Sequence, residues 1–175
     1  MLNHCYRFFN FGCCLWLVND LYAGQPKCQL NRLQLVLNAC ARMITGESKH
    51  SHITPILQKL HWLRVPERVD FKVCTMVHKA LLNKTPVYLA ELIKPAALSE
   101  KCLTLRSADT GAKTRIEEPA RRVKTVFGER AFAVAGPLAW NQLPVHLREM
   151  EDHDRFRKTL KTNEFRASFP RAPLE

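Results

Sequence analysis

Between residues 29 and 44 the apolar side chains Leu30, Leu33, Leu37, Cys40, Ala41 and Ile44 recur every three or four positions, which places them on one face of a helix. Gly46 is set to close that helix in a left-handed conformation, with Arg32 and Arg42 off the stripe and toward solvent. Three further helices open on proline. Thr54-Pro55 reads as an N-cap and first helical residue of a segment running to Leu60, with Ile53, Ile56, Leu57 and Leu60 inward and Trp62 and Leu63 closing the turn. Pro66 opens the next helix, whose buried stripe is Val69, Val73, Met76, Val77, Ala80 and Leu81 and whose terminator is Asn83. Thr85-Pro86 starts a short helix containing Val87, Leu89, Ala90, Leu92 and Ile93, which ends before Pro95.

After Pro95 the pattern changes. Residues 96–118 carry few large apolar side chains and read as an exposed connector. Within and after it, Leu103, Leu105 and Ser107 alternate with polar residues, as do residues 122–127, so the two runs are expected to pair as a small antiparallel ribbon lying on the helices. Residues 129–141 are alanine-rich and helical in tendency, interrupted by Gly136-Pro137 as a turn device. The last element, about residues 152–166, is an amphipathic helix anchored by Phe156, Leu160 and Phe165, with Asp152 and Asp154 near its positive end. The expected fold class is therefore mainly α, a single helical domain with a small two-stranded β-ribbon.

A length of 175 residues suits one domain, and 46% hydrophobic with 25% charged residues excludes a wholly disordered chain and a multi-span membrane protein. What changes the picture is charge. Lys and Arg number 27 against 16 Asp and Glu, a net +11, which favours a polyanionic partner such as nucleic acid or an anionic membrane surface over an acidic protein. Seven cysteines, at 5, 13, 14, 28, 40, 74 and 102, form no C-x-x-C spacing, which disfavours zinc. Cys40 and Cys74 lie on apolar helical faces, where a free thiol packs as a small hydrophobe, and an odd count fits reduced thiols in an intracellular compartment, nucleus or cytoplasm. Cys40, His50, His52 and His61 follow no established metal spacing, so neither a metal nor a cofactor is expected. The run FFNFGCCLWLV at 8–18 is too short to span a bilayer and lacks a convincing cleavage pattern; we expect a packed helix, with a signal peptide as the alternative.

The sharpest candidate for function lies on the helix opened by Pro66. Counting about 100° per residue from Arg68, Lys72 falls at about 40°, Lys79 at about 20° and Arg64 at about −40°, while the apolar stripe centres near about 130°. These four cations make a narrow ridge whose four-residue spacing, about 6 Å, suits successive backbone phosphates. A second basic group, Arg115, Arg121, Arg122 and Lys124, follows the connector and is interrupted by Glu117 and Glu118. Trp62 and Trp140 read as corner residues that seal the core rather than as stacking platforms, since each is flanked by leucine and proline. No nucleophile, triad or paired-carboxylate spacing marks a catalytic site, and no window is dominated by Lys and Arg as a nuclear signal would be.

The strings LNRLQLVLNACARMITG (30–46) and HITPILQKLHWLRVPERVDFKV (52–73) resemble the C-terminal region of the polyprotein of non-LTR retrotransposons of the LINE and jockey type. The runs KTPVYLAELI (84–93), TLRSAD (104–109), FGERAFAVAGPLAWNQLPVHLR (127–148) and FRKTLKTNEF (156–165) look like the remaining blocks, in the same order. The resemblance spans residues 18–169, leaving a divergent apolar segment at 1–17 and a tail at 170–175. It implies a segment following the palm of a reverse transcriptase, an RNA-directed DNA polymerase. In that family the metal-binding aspartates lie upstream, in an aromatic-x-Asp-Asp turn, and this chain contains no Asp-Asp pair.

The expected function is thus non-catalytic, sequence-independent binding of an RNA or DNA backbone through Arg64, Arg68, Lys72, Lys79, Arg121, Arg122 and Lys124. A helical docking module, in which the apolar N-terminus and the helix at 30–44 meet a protein partner, is the alternative, and a translated element remnant with no selected role is a third.

Overall fold

The computed structural model describes residues 22–95, 114–118, 128 and 131–170. Among them are seven helices: α1 (Lys27–Thr45), α2 (Ile53–Lys59), α3 (Val65–Leu81), α4 (Val87–Ala90), α5 (Phe132–Asn141), α6 (Val145–Arg148) and α7 (His153–Ser168). The mainly α fold is as expected. The ribbon is not supported: both of its runs lie outside the described residues, and the described β pairing is an isolated antiparallel bridge between Pro95 and Ile116. The apolar run at 8–18 also lies outside them.

Local chemistry sets the helix ends. Gly46 closes α1 at φ 70°, and its N–H donates to the Arg42 carbonyl. His61 (φ 50°) and Asn83 (φ 54°) are left-handed without being glycine. Each completes the same device: Trp62 N–H reaches back to Leu57 O at 2.9 Å and His61 N–H to Gln58 O at 3.0 Å, while Lys84 and Asn83 repeat this on Lys79 and Ala80. Asp152 caps α7 by accepting from the Asp154 N–H at 3.0 Å. The prolines act near helix starts, but one or two residues from the expected place. Helix α2 begins at Ile53, so Thr54 is inside it and His52 precedes it; α3 begins at Val65, ahead of Pro66.

Helix α3 is the centre of the molecule, contacted by α1, α4, α5 and α7. Enclosure from several sides explains why its buried set exceeds one stripe. Val69, Val73, Val77 and Ala80 are buried as expected, Met76 and Leu81 are half-buried, and Phe71, Cys74, Thr75 and His78 are buried as well. The main core joins these to Trp140, Leu147, Phe156 and Leu160, each with 0% exposure. A smaller cluster of Ala41, Ile56, Leu57 and Phe169 binds α1 and α2 to the end of α7.

Three expectations are corrected. Gly136-Pro137 does not break its helix, for α5 runs through both, and both are buried. The glycine lets α5 approach α3 closely: a Cβ there would sit 3.1 Å from Val77 Cγ2 and 3.3 Å from Ile93 Cδ1. On α1 only Leu37 and Ala41 of the expected stripe are buried, whereas Cys40 is exposed and Ile44 is 46% exposed. With Leu35, Val36 and Met43, also exposed, they leave a second apolar face that no described residue covers. Arg42 is not free in solvent either; its Nε and Nη2 donate to Ser51 O at 3.3 and 3.1 Å, pinning the loop to α2.

Candidate nucleic-acid interface

Arg64, Arg68, Lys72 and Lys79 are all half-buried. Two of the four turn onto aromatic rings. The Arg64 guanidinium lies 5.2 Å from the Phe169 ring centroid, and that of Arg68 lies 5.4 Å from Trp62. Arg68 Nε also donates to Leu63 O at 2.9 Å, and burial lowers its pKa from 12.5 to about 10, which still leaves it a cation at neutral pH. Arg64 and Arg68 are therefore held against aromatic rings rather than standing as a free solvent ridge.

Arg64 reaches its ring because α7 packs along α3. His78, near the end of α3, meets His153 at the start of α7, while Arg64 at the start of α3 meets Phe169 just past the end of α7. The two helices therefore run antiparallel. Along this seam Arg68 is brought together with Arg157, Lys158 and Lys161, from a segment about ninety residues later, around one cleft of about 220 Å³. His61, Trp62, Leu63 and Phe71 complete its lining. Among the described residues no Asp or Glu lines it. The left-handed turn at His61 is what delivers Trp62 and Leu63 to this wall.

Lys79 lies farther along the same seam, close enough to His153 to help burial and His78 hold that imidazole's pKa down. Lys72 is half-buried on α3 and does not line the cleft. Arg121, Arg122 and Lys124 lie outside the described residues, and Arg115 is exposed. Sequence reasoning missed Arg157, Lys158 and Lys161. Their signal was present, since three cations flank the anchors Phe156 and Leu160, but an amphipathic helix with a charged outer face does not announce a partner across the seam.

Trp62 is half-buried at the cleft, whereas Trp140 is fully buried with its Nε1 donating to Thr114 O at 2.9 Å, a core corner. A second cavity of about 190 Å³, between α1 and α2, includes Glu47 beside His52 and Lys59, so its charge is mixed. Among the described residues no three His, Cys, Asp or Glu side chains gather to hold a metal ion, and no helix is long and apolar enough to cross a membrane.

Beside the cleft, the α3–α7 seam carries two groups of opposite pH behaviour. Glu164 on α7 is pushed up from 4.5 to about 7, by burial first and then by Asp70 and Glu67 on α3. Glu67 Oε2 is buried without a hydrogen-bond partner. The Cys74 thiol is likewise pushed up, by burial and then by Asp70 and Glu164. In the other group, His78 Nε2 lies 2.8 Å from Met150 O, and its Nδ1 lies 3.0 Å from His153 Nδ1. A carbonyl only accepts, so His78 carries its proton on Nε2 and His153 donates from Nδ1, which leaves His153 Nε2 as a buried lone pair without a partner. Burial lowers the pKa of both imidazoles.

No family model, no curated protein and no solved structure matches this chain.

Proposed function

We propose that this chain binds the sugar-phosphate backbone of nucleic acid, without catalysis, through the cleft between the α2–α3 corner and α7. The observation that carries this reading is the convergence of Arg68, Arg157, Lys158 and Lys161 on one cleft whose described lining contains no carboxylate. A net charge of +11 supplies the long-range attraction, and the absence of an Asp-Asp pair agrees with a non-catalytic role. The reading also fits the resemblance to the post-palm segment of non-LTR reverse transcriptases, where a basic surface would serve to hold template or primer-template. Arg64, Lys72 and Lys79 extend the positive field along the helix, and Arg121, Arg122 and Lys124 belong to the same proposal from the sequence alone.

Fluorescence anisotropy with labelled oligonucleotides tests it. Neutralising about four phosphates gives a log-log salt slope of roughly −3 to −4. The double substitution Arg157→Glu and Lys161→Glu, on exposed positions of α7, is expected to abolish most of that slope and weaken binding at least tenfold. Affinity indifferent to salt and to this charge reversal overturns the reading.

One observation favours a second reading, a docking module. Met43 is 80%, Leu35 68% and Val36 52% exposed on the outer face of α1, an apolar surface suited to a protein partner. Sedimentation of the wild type against Val36→Asp with Met43→Lys checks it: self-association abolished by the pair supports docking, and a monomer in both cases counts against it.

A further inference from the structure

Resting on the reading above, we infer that the cleft accepts an unstacked base, so that its ligand is single-stranded nucleic acid rather than a duplex. The argument comes from the mixed character of the lining. Arg157, Lys158 and Lys161 are exposed, whereas half-buried Arg68 lies among Trp62, Leu63 and Phe71 with His61 beside them, a mostly apolar surface that a phosphate oxygen has no reason to approach. A site built for backbone alone needs no such wall.

Dimensions point the same way. A volume of about 220 Å³ is on the scale of one planar heterocycle and lies below the size of a drug-sized pocket. A duplex would rest on the lysines and leave the aromatic wall uncovered. A single strand can turn one base inward while its flanking phosphates remain on the rim, which satisfies both halves of the lining at once. Base-aromatic contact of this kind tolerates any sequence, because every base has a flat π face.

The arginine geometry is suited to the arrangement. Arg68 is already fixed over Trp62 and tethered through Nε to Leu63 O, so its guanidinium plane is ordered before a ligand arrives and little side-chain freedom is lost on binding.

Anisotropy titrations at one fixed salt concentration, using a dT 20-mer, an rU 20-mer, an abasic 20-mer of the same backbone and a 20-base-pair duplex, test the inference. Either base-bearing single strand is expected to bind about tenfold more tightly than both the abasic strand and the duplex, with quenching of tryptophan fluorescence. Trp62→Ala is expected to remove the difference between base-bearing and abasic strands, while Trp62→Phe, which keeps a ring and the packing of the smaller core cluster, stays within about twofold of wild type. A far-UV circular dichroism spectrum and a melting transition like those of the wild type show that Trp62→Ala has folded. If the abasic strand binds as well as dT and rU, or the duplex binds best, the inference is wrong although backbone binding stands. If none of the four binds at low salt, backbone binding itself has failed.

Discussion

Replacing Glu164 by Gln should stabilise the protein at alkaline pH and do little at acid pH. In the native state the Glu164 carboxyl titrates near 7 instead of 4.5, because it is buried and faces Asp70 and Glu67 across the α3–α7 seam. A folded pKa above the unfolded one means that the native state binds the proton more tightly, so the wild type gains stability as pH falls through 7 and has all of it below 4.5. At pH 8.5 the side chain is ionised in both states, and its seat near the other carboxylates costs free energy. A shift of about 2.5 units corresponds to about 3.4 kcal/mol in full, and solvent reaching this half-buried group reduces that to about 1–3 kcal/mol. Glutamine is nearly isosteric and uncharged, so it removes the cost. Urea denaturation followed by tryptophan fluorescence at pH 8.5, 7 and 5, with unchanged m-values, reads the difference directly. The variant should lead by about 2 kcal/mol at pH 8.5, about 4–8 °C in melting temperature for a chain of this size, and the lead should shrink to about a quarter of that at pH 5, where the unfolded carboxyl is still largely ionised. An equal difference at all three pH values, or a less stable variant at pH 8.5, would refute the proposed electrostatic origin.

The His78–His153 pair should act in the opposite direction. Both imidazoles are held below 6.5, chiefly by burial, so the stability they confer is present above 6.5 and is lost as pH falls below it. His153 Nε2 can accept one proton without breaking the chain of hydrogen bonds, whereas a second proton places two cations with centroids 5.2 Å apart, a repulsion of about 3 kcal/mol at an effective dielectric of about 20. Lys79, Lys84 and Arg157 add to the penalty and Asp152 and Asp154 offset part of it, so melting temperatures recorded from pH 7.5 to 5 in a Glu164→Gln background should fall, and His153→Gln should flatten the curve. Asn141→Asp should destabilise by about 2 kcal/mol, because the Asn141 amide donates to Ile116 O at 3.0 Å and to Glu118 Oε1 at 3.1 Å, and a carboxylate would leave that carbonyl unpaired and face Glu118. Chemical denaturation measures that loss, and a neutral effect would show that residues 114–118 are not held by this clamp.

Much of the local structure could be read from the chain because its causes are local. Gly46 and Asn83 adopt left-handed backbone for reasons carried by their own side chains, and Asp152 needs only the N–H two residues on. The apolar positions Val69, Val73 and Val77 fall on the buried side of α3 as their spacing indicates. His61 gave no such signal, since a histidine adopts left-handed backbone here only to close α2 and turn the chain into α3. Gly136-Pro137 misled for a related reason: the pair breaks helices in isolation, but here close packing on Val77 and Ile93 keeps α5 continuous.

By itself the sequence determined that the chain would be helical, where most of the helices would end, and that it would carry a large positive surplus, since periodicity, capping and charge are properties of short windows. Only the tertiary structure decided which faces are used. Cys40 and Ile44 continue the α1 stripe in sequence yet face outward, because α2 and α3 cover only the Leu37–Ala41 side. Arg68 gained its partners Arg157, Lys158 and Lys161 the same way, through the antiparallel packing of α7 along α3. Charges so distant in sequence become one cleft only when that packing aligns them, and no local pattern encodes the alignment.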